Sequence, residues 1–228
     1  MIILGTRFAR SIFALPLLLG VAAAQQHVSL ATPDGGLVSA DVYGKGGRGV
    51  VLAHGGRFNK ESWEKQARTL ESAGFRVVAI DFRGFGASRG PGQADPLSAP
   101  LRWDVLAAVR YLRKTGAASV FVVGASMGGG AAADAAIEAP GEIDRLVFLA
   151  GWTDGPVEKI RGRKLFIVAR GDANGDGPRL PKIRACYQKA QGPKKLVIVE
   201  GDAHAQFLFA TNQAERVMGE ILGFLAEP

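Results

Sequence analysis

The stretch Val120-Phe121-Val122-Val123-Gly124-Ala125-Ser126-Met127-Gly128-Gly129-Gly130 decides how the rest of the chain is read. Its first four residues, apolar and mostly β-branched, have the composition of a strand buried on both faces. They run directly into Gly124-Ala125-Ser126-Met127-Gly128, and small residues then predict a helix from about Met127 to Ala139. A serine between strand and helix, with glycine two positions away on each side, is the nucleophile-elbow pattern. The glycines have a steric reason. So tight a turn strains the serine backbone, and a side chain at Gly124 or Gly128 would strike the neighbouring strand or helix. Ser126 Oγ would stand at the C-terminal end of the strand, above the positive end of the helix dipole. Ala131, Ala132, Ala135 and Ala136 let that helix lie close to a sheet. A phosphate loop needs a lysine after its glycines, which this stretch lacks, and a dinucleotide fingerprint belongs at the first strand–helix turn of a chain.

At 228 residues the chain suits one domain with a sizeable core. Arg7 and Arg10 precede the apolar run Ile12 to Ala24, which ends Ala22-Ala23-Ala24. A charged segment, an apolar segment and small residues at a cleavage position predict a signal peptide over residues 1–24, removed before Gln25. The expected product is a single domain, 25–228, exported to the periplasm or the medium, with no stable membrane insertion once the leader is cut. Export permits disulfides, but Cys186 has no second cysteine to pair with. Ile183, Cys186, Tyr187 and Ala190 recur at helical spacing, which reads as a core position rather than a reactive thiol. Three histidines and one cysteine argue against a dedicated metal site. The formal charge of +7 comes from scattered basic residues, densest at Lys194-Lys195 and at Arg161, Arg163 and Lys164. Without interleaved aromatics they read as a solvated surface, and nucleic acid is not an expected partner.

From about His27 the chain reads as a hairpin. Val28 and Leu30 alternate with polar residues, Pro33-Asp34-Gly35-Gly36 supplies the turn, and Val38, Ala40 and Val42 alternate again. Six continuous apolar runs follow: Val50 to Ala53, Val77 to Ile80, Val120 to Val123, Leu146 to Leu149, Leu165 to Val168 and Leu196 to Val199. Between them, Trp63, Ala67 and Leu70 recur at helical spacing before Gly74. Val105, Val109 and Leu112 do so between Pro100 and Gly116, and Val217, Ile221 and Leu225 mark a last helix. Continuous strands alternating with amphipathic helices predict an α/β fold, a mostly parallel central sheet with helices on both faces. In such sheets functional groups collect at the C-terminal ends of the strands. Reading those ends in order gives His54-Gly55-Gly56-Arg57, then Asp81 to Ser88, then Ser126, then Ala169-Arg170-Gly171-Asp172, then Glu200-Gly201-Asp202-Ala203-His204. Serine, aspartate and histidine thus each follow a strand of their own.

With these residues in register, the chain resembles the α/β-hydrolase family, over about His27 to Leu225. The resemblance rests on His54-Gly55-Gly56, on Asp81-x-Arg83-Gly84-x-Gly86-x-Ser88, on the Ser126 elbow, on Asp172 and on His204. Many members carry glycine three positions before the acid, where this chain has Ala169. The resemblance implies a triad of Ser126 as nucleophile, His204 as base and Asp172 as orienting acid, with no cofactor and no metal. Asp154, after the preceding strand, and Asp176, further along the same loop, stay open as alternative acids. It implies an oxyanion hole made by the Met127 backbone N–H and a donor after the His54 strand, Gly56 first and Arg57 next. His54 then reads as an anchor of its turn, Asp81 and Arg83 as loop braces, and Asp202 as exposed. Only about fifteen residues, Ala150 to Lys164, separate two strands where larger relatives insert a helical lid, so no cap domain and an open site are expected. Together these imply an exported serine carboxylesterase acting on a small acyl substrate. Acyl thioesterase, peptidase or amidase chemistry on the same triad, and a non-catalytic binding protein of this fold, are the alternatives.

Overall fold

Each apolar run becomes a strand in the computed structural model, which describes residues 25–227. In chain order these are β1 (Gln26–Ala31), β2 (Leu37–Tyr43), β3 (Arg48–Ala53), β4 (Phe75–Ile80), β5 (Ser119–Ala125), β6 (Arg145–Leu149), β7 (Arg163–Ala169), β8 (Ala173–Asn174), β9 (Gly177–Pro178) and β10 (Lys194–Val199). The helices are α1 (Glu64–Ser72), α2 (Arg102–Lys114), α3 (Met127–Glu138), α4 (Leu180–Lys189) and α5 (Ala214–Ala226). The leader expected over residues 1–24 lies outside the described residues.

Eight strands form one sheet in the order β1-β2-β4-β3-β5-β6-β7-β10. Only β2 runs against the rest, pairing antiparallel with β1 and β4. The other pairings are parallel. After β3 the chain steps to β4 on one side, then returns to β5 on the other. The ends of β3 and β5 therefore flank the switch in strand order, where an open α/β sheet leaves a crevice. Alternation along the strands supplies two cores. Val51, Ala53, Val122, Phe148 and Phe166 face α2, α3 and α4, while Val50, Leu52, Val123 and Ile167 face α1 and α5. Burying each of the valine, leucine, isoleucine and phenylalanine side chains among these contributes about 1.5–3 kcal/mol. The helical spacings hold: Val105, Val109 and Leu112, like Val217, Ile221 and Leu225, are all buried. Cys186 is a buried free thiol in the first of these cores, as its spacing predicts. Residues 150–162, between β6 and β7, hold only the short 3₁₀ turn Val157–Lys159, so no cap domain is inserted there. The two-residue strands β8 and β9 are an addition to the sequence reading, folded around the Asn174-Gly175-Asp176-Gly177 turn.

The Asp81-to-Ser88 signature is spent on bracing. Arg83 is fully buried and donates to Asp104 from Nη2 (2.6 Å), to Asp34 from Nη1 (2.6 Å) and to the Pro91 carbonyl (3.0 Å). Asp81 accepts from the Lys60 N–H (2.8 Å), and Ser88 Oγ joins the Ser39 N–H to the Asp81 carbonyl. His54 is equally enclosed. The Phe82 N–H donates to its Nε2 (3.1 Å), so the ring proton is on Nδ1, which donates to the Gly55 carbonyl (2.8 Å). The ring has no free atom for catalysis. It fastens the exit of β3 to the exit of β4.

Burial pushes the His54 imidazole below its ordinary range, outweighing the Gly55 carbonyl and the Asp81 and Glu61 charges that favour the protonated form. The unfolded chain takes up this proton near pH ~6.5, and the folded chain resists it until lower pH. Stability is therefore unaffected well above that pH and falls below it, by up to about 1.4 kcal/mol per pH unit for one proton. Denaturant unfolding of the wild type and His54→Asn at about pH 7.5 and about pH 5.5 measures the effect. The wild type should lose more stability on acidification than the variant, and equal losses would contradict a neutral buried His54.

Candidate active site

Ser126 follows β5 directly, with φ +50° and ψ −113° and no side-chain cap on α3. A non-glycine residue in this region costs about 1–3 kcal/mol and persists only where its surroundings fix it. Here the Ser126 N–H is held by the Leu149 carbonyl (2.9 Å), and its own carbonyl accepts from the Gly129 N–H (2.9 Å). The flanking glycines are obligatory. A Cβ at Gly124 would lie 2.4 Å from the Gly128 carbonyl oxygen, and one at Gly128 would lie 2.4 Å from that of Ala53. Ala150 (φ +52°) and Ala205 (φ +54°) share the left-handed backbone, and both adjoin the same rim of the sheet.

His204 Nε2 lies 2.8 Å from Ser126 Oγ, and its Nδ1 lies 2.8 Å from Asp172 Oδ2. A carboxylate only accepts, so the ring proton belongs on Nδ1, leaving Nε2 to accept from the serine hydroxyl. The sheet explains how residues so far apart in sequence meet. β7 and β10 are paired to their ends (Ala169 opposite Val199), and the ladder continues through Arg170 N–H to Val199 O (2.8 Å) and Gly171 N–H to Gly201 O (2.8 Å). The loops that carry Asp172 and His204 thus leave side by side. Ala169, in place of the glycine of many relatives, is buried without disturbance, and its carbonyl accepts the Asp172 N–H (3.2 Å).

Burial separates the three candidate acids. Asp172 is fully buried against His204, while Asp154 and Asp176 are exposed. Asp176 is engaged within its own turn, where Asn174 Nδ2 donates to it and its N–H donates back to Asn174 Oδ1. The geometry joins Asp172, and neither of the others, to His204. Asp202 is exposed, and His27 is at the far edge of the sheet beside Asp41 (2.9 Å).

The register Ala53 opposite Gly124 sets the loop after β3 beside the elbow. A Cβ at Gly56 would lie 3.7 Å from Met127 Sδ, so the two residues are neighbours. The Gly55 carbonyl accepts from His54 Nδ1 (2.8 Å) and from the Phe58 N–H (3.0 Å). In a trans peptide the N–H points opposite to the carbonyl, so these two bonds also aim the Gly56 N–H. The backbone N–H groups of Gly56, Arg57 and Met127 have no hydrogen-bond partner among the described residues.

Two neighbours of the site escape a reading of the sequence. Arg179 Nε lies 3.3 Å from Asp172 Oδ1, opposite the oxygen that holds His204. That contact depends on the β8–β9 ribbon turning the chain back; the Asn174-Gly175-Asp176-Gly177 turn is visible in the sequence, but the side chain it brings onto Asp172 is not. Gln206 is buried and reaches back to Gly55. A polar residue inside the run Ala205-Gln206-Phe207-Leu208-Phe209-Ala210 was the available signal, since a buried amide needs partners.

Residues 49–184 match the alpha/beta hydrolase fold family. A Synechocystis sp. protein provisionally named a non-heme chloroperoxidase is 41% identical over 86 residues, 37% of this chain and 29% of that relative. A Burkholderia vietnamiensis 2-hydroxy-6-oxononadienedioate/2-hydroxy-6-oxononatrienedioate hydrolase is 34% identical over 123 residues, 51% of this chain and 41% of that relative. The chain thus spans less than half the length of these curated relatives. Among solved structures, an esterase from Exiguobacterium antarcticum superposes with a TM-score of 0.71 at 15% identity, covering 89% of this chain and 100% of the other, a likeness of fold. By the family match across residues 49–184 and by its sheet order, the chain belongs to the alpha/beta hydrolase fold family.

Proposed function

We propose that this protein is a serine hydrolase that cleaves carboxylic esters through an acyl-enzyme formed on Ser126. The observation that carries the reading is the continuous hydrogen-bonded chain Ser126 Oγ–His204–Asp172, with 2.8 Å at each link. A serine hydroxyl is a weak nucleophile at neutral pH and needs a base within this distance. As Oγ attacks the ester carbonyl carbon, its proton passes to His204 Nε2, and Asp172 stabilises the imidazolium through Nδ1. The carbonyl oxygen becomes an oxyanion, for which the Met127 and Gly56 N–H groups are the donors. Losing one such donor costs about 3–4 kcal/mol of barrier. His204 then protonates the departing alkoxide, and the alcohol leaves. Water, deprotonated by the same imidazole, attacks the acyl carbon; the acyl–Oγ bond breaks, His204 returns the proton to Ser126 Oγ, and the acid leaves.

The short 150–162 connection supports an open site rather than one beneath a lid. Thioesters and activated amides fit the same machinery, and a panel of acyl esters, thioesters and anilides of matched acyl groups ranks the three. The complete triad favours an enzyme over a binding protein of this fold. We also propose that the mature form is exported and begins near Gln25. Intact-mass measurement of protein secreted by a bacterial host should show residues 1–24 removed, and retention of that segment would contradict export by cleavage.

Kinetics of point variants test the triad. Ser126→Ala and His204→Ala should each lower kcat by about 10⁶, with the double variant little worse than either, because the residues act as a unit. Asp172→Asn should lower it by about 10⁴, since an amide at this position favours the wrong imidazole tautomer. Asp154→Asn and Asp176→Asn should cost less than about tenfold, as expected of exposed groups not hydrogen-bonded to the imidazole. Near-normal turnover in Ser126→Ala would place the nucleophile elsewhere.

A further inference from the structure

We infer that Gln206 is a positioning residue that locks the oxyanion loop to the segment bearing the catalytic base; this rests on the serine-hydrolase reading above. The need for a lock follows from the loop's own sequence. Gly55 and Gly56 are consecutive glycines, the most permissive backbone available, and nothing intrinsic to them aims a donor at a reaction centre. Aim has to be imposed from outside, one peptide plane at a time.

The plane between Gly55 and Gly56 is fixed by its carbonyl, which accepts from His54 Nδ1 and the Phe58 N–H. The preceding plane, between His54 and Gly55, is fixed by Gln206, whose Oε1 accepts the Gly55 N–H at 2.9 Å. The other end of the same amide donates from Nε2 to Ser62 Oγ at 2.7 Å, and the Ser62 hydroxyl in turn donates to the Asn59 carbonyl. One side chain therefore grips the loop at both ends, residues 55 and 62. With two successive planes held, the Gly56 N–H has one direction.

The same grip works on the other side. Gln206 stands two residues after His204, and between them Ala205 is fully buried with φ +54°. A left-handed alanine persists only where its neighbours hold it, and the Gln206 amide is the polar anchor immediately beside it. A second, apolar link runs parallel: the rings of Phe58 and Phe207 meet with centroids 4.8 Å apart. Gln206 is 5% exposed, so water does not replace its bonds when they are lost. The amide is suited to the task because it accepts at one end and donates at the other, which no hydrocarbon or carboxylate of that length does.

Gln206→Met keeps the length and removes both polar ends. In folded protein, checked by thermal unfolding, kcat should fall about 10- to 100-fold while KM stays within about twofold, because displacement of a donor is felt in the transition state. Affinity for a trifluoromethyl ketone, whose adduct with Ser126 carries an oxyanion, should fall in step with kcat/KM. Ser62→Ala, at a partly exposed position, removes only the far anchor and should lower kcat several-fold at unchanged KM. If Gln206→Met fails to fold, Ser62→Ala decides. A folded Gln206→Met with kcat and inhibitor affinity at wild-type levels, a loss confined to KM, or an unaffected Ser62→Ala would each overturn the assignment. Ser126→Ala is measured alongside: wild-type turnover in it overturns the serine-hydrolase reading itself, and this inference with it.

Discussion

The close approach of α3 to β3 and β5 is the constraint on which the site depends. There is no space for a Cβ at Gly128, because the carbonyl oxygen of Ala53 would be 2.4 Å away, nor at Gly124, because that of Gly128 would be. These contacts let the helix start at the very edge of the sheet and force Ser126 into its left-handed conformation. They also bring the end of β3 against the start of α3, which makes Gly56 and Met127 neighbours. The proposed nucleophile and the proposed oxyanion donors are thus brought together by one packing event. A single methyl group at Gly124 or Gly128 would disturb both.

Around this constraint the chain invests buried polar groups in rigidity rather than in chemistry. Arg83, Asp104, Asp81, Ser88 and His54 are all buried, and each is bonded to the backbone or to an opposite charge. Removing one partner from such a set leaves an uncompensated buried group, which typically costs more than the bond itself contributes. The left-handed backbones at Ser126, Ala150 and Ala205 lie on the rim these braces support. Strain at that rim, with saturated bonding behind it, is the arrangement expected where side chains must be held ready for reaction.

Much of this was legible in the sequence, because the relevant physics is local. Continuous apolar runs identified six strands of the large sheet, alternation identified its β1–β2 hairpin, and glycines two positions either side of a serine identified the elbow. The strand-end order pointed to Ser126 and His204, which the fold brings within 2.8 Å of each other. The candidate acid was less legible. Asp172, Asp154 and Asp176 all follow strands or lie in one loop, and what separates them is burial, a property of the assembled β7–β10 edge. The same holds for Arg179 and Gln206, whose partners are set by a two-residue ribbon and by a contact 151 positions away. Left-handed alanines at 150 and 205 carry no sequence mark at all, since alanine ordinarily avoids that backbone.

The central claim is that Ser126 is an activated nucleophile, and covalent capture tests it most directly. The folded protein is treated with a fluorophosphonate, digested, and the modified peptide sequenced by mass spectrometry. The account predicts one phosphonyl group per chain, on Ser126, with labelling suppressed in His204→Ala although the serine is intact. Modification of another residue, or labelling of Ser126 at the same rate without His204, would contradict it.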